Sequence, residues 1–282
     1  MNVNKKIAKV RNILKDMDSV LVAFSGGVDS TLLLKVAQDV LGDRILAVTA
    51  TSPTYPKKEE KEARSIAKKL KVNHRCIKTH ELDNEQFIRN PSNRCYFCKK
   101  ELFSRLKLIA EQEGYKHIIE ASNRDDENDF RPGLQALKEL AIRSPLREAG
   151  FTKKEVRQLS KKLKLPTFDK PSLACLASRF PYGQVIDHTK LSMVEQAEAY
   201  LHTLNFKQCR VRHHDSIARI EVDQKDLKRF IDPKVRARVN KKCKKLGFIY
   251  STLDLEGYRS GSMNEPLETD EKKRYRIRLN KN

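Results

Sequence analysis

One feature restricts the possible folds of this chain more than any other: an apolar run that is followed by two glycines and then by a helical segment. Residues 19–24 (SVLVAF) are typical of a buried strand, and SGGVDS overlaps a helical stretch that Gly42 closes. Glycines allow a tight turn, and a helix start exposes unpaired N–H groups that suit a multiply charged phosphate. Neither GxxxxGK[ST] nor GxGxxG occurs, which excludes the nucleoside-triphosphatase P-loop and the dinucleotide fingerprint.

Strand and helix signals alternate through the first half of the chain. Strands are predicted at 19–24, 44–50, 72–79 and 116–122, and helices at 2–17, 29–42, 56–70 and 98–113. A further helix begins at Thr152, which forms a capping box with Glu155. This alternation favours an α/β fold with a parallel sheet covered by helices on both faces. We assign this domain to residues 1–165.

The remainder of the chain has a different pattern. Residues 166–188 hold three prolines and a glycine, which indicates a structured connector or active-site loop. A helix is predicted from Thr189 to about Leu204, followed by the alternating strands CRVRHH and IARIEV, helical stretches at 224–231 and 233–246, and a last strand, FIYSTLDL. We therefore expect a smaller α+β domain at 189–265 and a charged tail at 266–282.

Charge and hydropathy restrict the partners. The chain has 58 Lys and Arg against 37 Asp and Glu, and of the net charge of +21, +14 falls on residues 151–282. Such a field favours polyanions, although solvated lysine-rich helix faces explain many of these cations equally well. No apolar run approaches the roughly 18 residues that cross a membrane, and no secretory signal is evident. We expect a cytoplasmic protein.

Two of the six cysteines have a spacing that suggests chemistry. Cys95 and Cys98 form a CxxC pair, a spacing used for zinc, for iron–sulfur clusters and for redox pairs. A structural zinc site would need four ligands, and no second CxxC or HxxxH accompanies the pair. Cys175 adds a third thiol, which suits either a cluster with one open iron or a reactive cysteine served by a redox pair.

Two other segments are candidate ligand sites. Residues 120–136 contain Asp125, Asp126, Glu127 and Asp129, which suit either a solvated acidic loop or a loop facing Mg²⁺ and nucleotide. Arg179 follows Ser178, and Arg210 and Arg212 lie on one side of a strand. Guanidinium groups match phosphate oxygens, but a solvated cationic face is an equally good interpretation of the strand pair.

The motifs together resemble a known family. SGGVDS resembles the pyrophosphate-binding loop (PP-loop) of the N-type ATP pyrophosphatases, which have an adenine nucleotide α-hydrolase-like fold and activate substrates as adenylates. SGGVDS, NRCYFCK, SNRDDENDFRPG, RSPL, KPSLACLASRFPYG, RVRHH and LDLEGYRSGSMNE, in this order, resemble the ATP-dependent sulfur transferases of nickel-pincer nucleotide biosynthesis, the LarE family.

That resemblance implies a reaction. Family members adenylate the carboxylates of pyridinium-3,5-biscarboxylic acid mononucleotide and convert them to thiocarboxylates. The product later binds nickel as the cofactor of lactate racemase and related enzymes. The family also implies a homo-oligomer with a small-molecule substrate. From the hydropathy and the motifs we expect no membrane association and no specific nucleic-acid partner.

The resemblance also implies roles for particular residues. The ATP-binding set is Ser25, Gly26, Gly27, Asp29, Ser30 and Thr49, with Asp29 positioning Mg²⁺. The catalytic cysteines are Cys95, Cys98 and Cys175, which correspond to the members that use a [4Fe-4S] cluster, whereas other members sacrifice a cysteine. The substrate phosphate is assigned to Ser178, Arg179, Arg210 and Arg212. One departure is Ala121–Ser122, where the family usually has Gly-Thr.

Two other functions fit parts of the pattern. Thiolation of tRNA is consistent with the net charge of +21 and with a pyrophosphatase loop accompanied by cysteines, but the sequence has no recognisable RNA-binding module. A nucleotide-binding sensor without turnover would use only SGGVDS. Release of pyrophosphate that depends on a carboxylate substrate would exclude the sensor.

Overall fold

The computed structural model describes residues 2–128, 131–171, 174–259 and 261–267. Asp129 of the acidic segment and most of the predicted charged tail, from residue 268 onward, lie outside the described residues. Tertiary contacts divide the described chain into two units. The first consists of residues 2–81 and 93–171, and the second of residues 82–92, 174–259 and 261–267.

The elements follow the order that the sequence predicts. In the described part of the chain, the helices are α1 (Val3–Met17), α2 (Val28–Leu41), α3 (Lys57–Lys69), α4 (Glu85–Ile88), α5 (Arg94–Glu113), α6 (Gly133–Glu139), α7 (Pro145–Glu148), α8 (Lys153–Lys162), α9 (His188–Thr203) and α10 (Pro233–Lys245). The strands are β1 (Val20–Ala23), β2 (Ile45–Thr51), β3 (His74–Lys78), β4 (His117–Ile119), β5 (Cys209–His214), β6 (Ile217–Val222) and β7 (Tyr250–Leu253). The short helices α4, α6 and α7 were not predicted.

The first unit is built on a four-stranded sheet of order β3-β2-β1-β4, in which every pair is parallel. Val20 and Val22 of β1 point into one apolar cluster, and Leu21 points into the other. The first cluster includes residues of α1, α2, α3 and α8, and the second includes residues of α5 and α6. The predicted α/β fold, with a parallel sheet buried on both faces, is confirmed.

The strand order determines where a ligand can enter the first unit. The chain leaves β1 toward β2 on one side, while β4 pairs with β1 on the other side. In open α/β sheets, such a switch point leaves a crevice beyond the carboxyl ends of the two strands. Residues 24–27 follow β1 and residues 120–123 follow β4, so both segments lie at this crevice.

The second unit has a smaller sheet of order β5-β6-β7, antiparallel between β5 and β6 and parallel between β6 and β7. Its core includes side chains of α9 and α10. The predicted smaller α+β fold is confirmed, but the stretch at 224–231 is a 3₁₀ helix.

The second unit includes a segment that the sequence analysis assigned to the first domain. The Asn90 side-chain amide donates to the backbone oxygens of Phe180 (3.3 Å) and Pro181 (2.7 Å), which ties residues 82–92 to the second unit. The contacts also divide the connector predicted at 166–188. No helix in the described ranges has the length and hydropathy of a membrane span.

Candidate active site

The turn after β1 has a backbone that depends on glycine. Gly26 has φ +69°, and a Cβ built there would lie 3.2 Å from both Cα and Cβ of Ala63 on α3. Gly27 is the N-cap of α2, and no side chain hydrogen-bonds to the N–H groups of the first turn from that position. The start of α2 therefore presents backbone donors and the positive end of a helix dipole, the combination that binds phosphate.

Two serine hydroxyls hold this turn. Ser25 Oγ lies 3.0 Å from Ser30 Oγ and accepts from the Gly27 N–H at 3.3 Å. The Ser30 hydroxyl also donates to the Gly27 carbonyl oxygen, at 3.2 Å. The loop is thus closed by its own hydroxyl groups, which lie beside the backbone donors.

Asp29 in the first turn of α2 is held by two residues that the sequence analysis did not single out. The Asn123 side-chain amide donates to Asp29 Oδ1 at 3.1 Å, and the Lys153 ammonium group forms an ion pair with Oδ2. Asn123 lies in the segment after β4, and Lys153 is the first residue of α8. A carboxylate, an amide and a cation are thus brought together from three separate segments.

A second lysine is bound to the glycine turn. Lys170 Nζ donates to the Gly26 carbonyl oxygen at 3.2 Å and pairs with the carboxylates of Glu59 and Glu62 on α3, each at 2.7 Å. Burial opposes ionisation of Glu62, but the bonded Lys170 holds the pKa of this carboxyl group below its ordinary value. Lys170 therefore fixes the turn against α3.

The acidic segment after β4 forms an ordered loop in its described part. Asp126 accepts from the Asn123 N–H at 2.8 Å and pairs with Arg131 at 2.9 Å. Asp125 accepts from the Lys153 N–H at 2.8 Å. Burial raises the pKa of Asp126, although Arg131 acts in the opposite direction. Asp125 and Asp126 thus support Asn123 and Lys153, the two residues that hold Asp29.

The predicted ATP-binding residue Thr49 lies at the same end of the sheet but makes structural bonds. Its hydroxyl donates to the Phe24 carbonyl oxygen at 2.7 Å and lies 2.8 Å from His74 Nε2. Thr49 is 5% exposed. These contacts tie the end of β1 to β2 and β3, next to the glycine turn.

The CxxC pair opens α5 of the first unit. Cys95 is exposed and Cys98 is half-buried, and both are in the first turns of the helix. Residues three apart on a helix lie on the same face. The Tyr55 hydroxyl lies 3.8 Å from Cys98 Sγ. Within the described residues, no group of three or more His, Cys, Asp or Glu side chains is arranged to hold a metal ion.

Cys175 belongs to the second unit, where a buried arginine fixes its backbone. The Arg179 Nη1 group donates to the carbonyl oxygens of Ala174 (2.8 Å) and Cys175 (3.1 Å) and to Ser178 Oγ (2.9 Å). The Ser178 hydroxyl also donates to the Cys175 oxygen, at 2.8 Å. Arg179 is only 2% exposed, and its Nε and Nη2 groups donate to both oxygens of Glu198 at 2.9 Å.

The two strand arginines are buried beside this turn. Arg212 donates to both carboxylate oxygens of Glu221, at 2.9 and 2.7 Å, and to the Ser178 carbonyl oxygen at 3.0 Å. Arg210 donates to the Cys209 oxygen at 2.7 Å and lies over the Tyr258 ring. Burial, followed by the charge of Arg179, lowers the pKa of Arg210. The structure thus brings the four predicted phosphate-binding residues into one cluster, in which Arg179 and Arg212 are paired with glutamates.

Comparison with known proteins identifies the family. Over 255 residues, the chain is 42% identical to the pyridinium-3,5-bisthiocarboxylic acid mononucleotide synthase of Lactiplantibacillus plantarum, covering 90% of this chain and 92% of that protein. The chain belongs to the family of this synthase. The resemblance noted from the motifs is therefore confirmed.

Other relatives extend the comparison. An uncharacterised protein of Synechocystis is 44% identical over 94% of this chain and 99% of its own length. An uncharacterised protein of Methanocaldococcus jannaschii is 31% identical over 91% of this chain and 98% of its own length. Residues 3–112 also match the NAD synthase family profile. This matched region includes the glycine turn and the CxxC pair.

The sequence analysis missed Asn123, Lys153 and Lys170 as individual site residues. Asn123 and Lys170 were quoted within motifs, and Lys153 follows the capping residue Thr152, but a lysine in a lysine-rich chain carries no local signal of its own. Only the folded chain brings Lys153 to Asp29, across 124 positions of sequence.

Proposed function

We propose that this protein is an ATP-dependent sulfur transferase that adenylates the carboxylates of pyridinium-3,5-biscarboxylic acid mononucleotide and converts them to thiocarboxylates. The observation that carries the proposal is the 42% identity to the bisthiocarboxylic acid mononucleotide synthase over 90% of the chain. The anion-binding turn at the start of α2 supports the ATP-dependent half of the reaction.

In the adenylation half, Ser25, Gly26, Gly27 and Ser30 hold the β and γ phosphates of ATP. Backbone donors at the start of α2 stabilise the charge that develops on pyrophosphate as the substrate carboxylate attacks the α phosphate. Lys153 is close enough to Asp29 to add a cation to the same site. Thr49 supports the turn through the Phe24 carbonyl oxygen.

Magnesium fits the donor set around Asp29. Mg²⁺ in nucleotide sites is commonly held by one or two carboxylates together with substrate phosphates. Asp29 offers a carboxylate beside the proposed phosphate site, and Asn123 and Lys153 already orient it. Bound Mg²⁺ would neutralise phosphate charge, while Asn123 keeps the Asp29 carboxylate in position.

In the sulfur-transfer half, Cys175, Cys95 and Cys98 are the catalytic residues. None of the three is fully buried: Cys95 is exposed, and Cys98 and Cys175 are half-buried. Thiolates are the usual ligands of iron–sulfur clusters, and sacrifice of a cysteine also begins from its sulfur atom, so the residue chemistry fits both sources of sulfur. A [4Fe-4S] cluster held by these residues would supply a sulfide to the activated carboxylate.

The phosphate of the mononucleotide is assigned to Ser178, Arg179, Arg210 and Arg212. Burial and the neighbouring Arg179 charge lower the pKa of Arg210, so an incoming phosphate would stabilise its charged form. Arg179 also fixes the backbone of Cys175, which links substrate binding to the position of this thiol.

We further propose that the protein acts in the cytoplasm as a homo-oligomer and that its product serves the maturation of a nickel enzyme such as lactate racemase. These proposals follow from membership of the family. Size-exclusion chromatography with light scattering measures the oligomeric state, and a monomer at micromolar concentration would contradict this part of the proposal.

The test is anaerobic incubation of the protein with ATP, Mg²⁺ and the dicarboxylated mononucleotide, followed by mass spectrometry of protein and products. We expect AMP, pyrophosphate and a substrate in which sulfur replaces carboxylate oxygen. A mononucleotide without the carboxylates is the control and should release no pyrophosphate. Sulfur transfer to tRNA and not to the mononucleotide would refute the proposal in favour of tRNA thiolation.

A cysteine variant separates the two halves of the reaction. Cys175→Ala should still release pyrophosphate and form the acyl adenylate, which frees AMP only as water hydrolyses it, but it should form no thiocarboxylate. Cys209→Ala, which changes a buried core thiol, should retain both activities. Full thiolation by Cys175→Ala would refute the sulfur assignment. Two measurements on the active wild-type protein then identify the source of the sulfur. About four irons per chain by iron analysis support a cluster, and dehydroalanine at position 175 by mass spectrometry supports sacrifice of the cysteine.

A further inference from the structure

Helix α10 carries a charge imbalance that the proposed reaction does not use. It has no acidic residue and seven basic residues: Lys234, Arg236, Arg238, Lys241, Lys242, Lys244 and Lys245. Every other described helix of ten or more residues contains acidic residues, and several form i,i+4 ion pairs such as Lys35–Asp39 and Glu60–Arg64. No described carboxylate forms an ion pair with any of the seven cations on α10.

The excess of basic residues does not stabilise α10 as a helix. Like charges at i,i+4 destabilise a helix, and the helix dipole favours cations only near the C-terminal end, which leaves Lys234 and Arg236 unfavourably placed. The helix is held instead by Val239 and Cys243, which are both 3% exposed. Solvation of a lysine-rich surface does not explain the difference from α3, which mixes acidic and basic residues along its length.

An exposed aromatic residue lies beside these cations. Tyr250, the first residue of β7, is 61% exposed, and it lines a groove of about 780 Å³ with Arg236 and Lys244. A separate groove of about 520 Å³ is lined by Lys242 and Lys245. Cations therefore border α10 on two sides, and one side also has an exposed aromatic residue.

We propose that α10 and Tyr250 form a binding site for single-stranded nucleic acid without sequence preference. Proteins of this kind combine cations that follow the phosphate backbone with aromatic rings on which bases stack. The thirteen residues of α10 span about 20 Å, which is long enough to meet several phosphates of one strand. Cations alone would also suit an acidic peptide, but Tyr250 beside Arg236 and Lys244 specifically favours a ligand with bases.

The test measures binding of a fluorescent oligouridine of about ten nucleotides by anisotropy, with excess MgATP present to occupy the nucleotide site. The α10 variant replaces Arg236, Lys241, Lys244 and Lys245 with Gln. The matched control replaces Lys5, Lys9, Arg11 and Lys15, exposed residues of α1, so the same number and kinds of charge are removed. Urea unfolding verifies that both variants remain folded.

The expected effects follow from counterion release. Four phosphate contacts give a slope of about −3 for the logarithm of the binding constant against the logarithm of the salt concentration. They therefore raise the affinity at about 0.1 M salt by about 600-fold over the affinity at about 1 M salt. The α10 variant should lose most of this factor and flatten the slope, while the α1 variant should bind within about threefold of wild type. Equal losses in the two variants would overturn the proposal, because the effect would then come from net charge alone.

Substitutions of Tyr250 test the stacking contribution. Tyr250→Ala should weaken oligouridine binding about tenfold and Tyr250→Phe should not, because a stacked base needs the ring and not the hydroxyl. An oligothymidine of equal length decides between RNA and DNA, and preference for either one supports the site. The proposal fails if polyglutamate competes as well as oligouridine, or if the oligonucleotide binds only when MgATP is omitted. Pyrophosphate release should be unchanged in all of these variants.

Discussion

The buried pair of Arg179 and Glu198 should dominate the stability of the second unit. Glu198 is 6% exposed and accepts three hydrogen bonds at 2.9 Å, two from Arg179 and one from the Val211 N–H. Glu198→Gln preserves the volume but leaves the Arg179 guanidinium buried without a counter-charge. Breaking a buried pair in this way costs about 3–5 kcal/mol of unfolding free energy.

A matched variant at an exposed ion pair shows whether burial causes the loss of unfolding free energy. Glu85 and Arg89 also form an ion pair, at 3.2 Å, but their side chains are 82% and 77% exposed. Glu85→Gln should therefore change the unfolding free energy by less than about 0.5 kcal/mol. The double variant Arg179→Met with Glu198→Leu removes both charges and should recover part of the loss, because buried pairs are often replaceable by apolar residues. The recovery is incomplete because the Val211 N–H loses its acceptor.

Urea unfolding followed by far-UV circular dichroism measures these differences, since the chain has no tryptophan to report by fluorescence. Burial opposes ionisation of Glu198, but Arg179 holds its pKa below the ordinary value. The stabilisation is therefore complete above the unfolded pKa of about 4.3 and is lost as the pH falls through the folded value. A loss below about 1 kcal/mol at pH about 7 for Glu198→Gln would refute the reasoning.

Three further predictions concern the glycine turn, Asp29 and acid stability. Gly26→Ala should weaken ATP binding by more than about tenfold. The left-handed backbone at this position costs about 1–2 kcal/mol for alanine, and the new Cβ would lie 3.2 Å from α3. Gly42→Ala, with open space around its Cβ, is the calorimetric control and should leave the ATP affinity unchanged. Lys153→Met should weaken MgATP binding about tenfold by isothermal titration, because it removes the cation that pairs with Asp29 beside the proposed phosphate site. The exposed neighbouring substitution Lys154→Met should have little effect. Burial lowers the pKa of His213, so its contribution to stability is complete above the unfolded pKa of about 6.5 and declines as the pH falls. Between pH about 7.5 and 5.5, urea unfolding should show a smaller decline in unfolding free energy for His213→Phe than for the wild type. An equal dependence of unfolding free energy on pH in the two proteins would contradict this assignment.

Patterns that depend on neighbouring residues were predictable from the sequence. The strands CRVRHH and IARIEV are observed at Cys209–His214 and Ile217–Val222, because period-2 alternation reports one face of a sheet directly. The capping box of Thr152 and Glu155 is confirmed for the same reason, since both of its bonds join residues three apart. The anion-binding turn was equally local, because the glycines and the start of α2 are consecutive.

Contacts between distant residues were not predictable in this way. The inclusion of residues 82–92 in the second unit depends on Asn90, whose partners Phe180 and Pro181 are about ninety positions away. The sequence also indicated that Arg179 and Arg212 are cations suited to phosphate, but it did not indicate that Glu198 and Glu221 would be buried against them. Charge is visible in a sequence, whereas the partner of each charge is a property of the fold.

The contacts of Asp29 explain how a carboxylate can belong to a phosphate-binding turn. An acidic side chain in the first turn of a helix is attracted to the N-terminal backbone donors, so it would compete with phosphate for them. Asn123 and Lys153 bind both oxygens of Asp29 from other elements, which directs the carboxylate toward them. Gly27 supplies no competing side chain at the cap. The donors of α2 are consequently left for an anion, and this arrangement requires the loop after β4 and the start of α8 as much as the glycines.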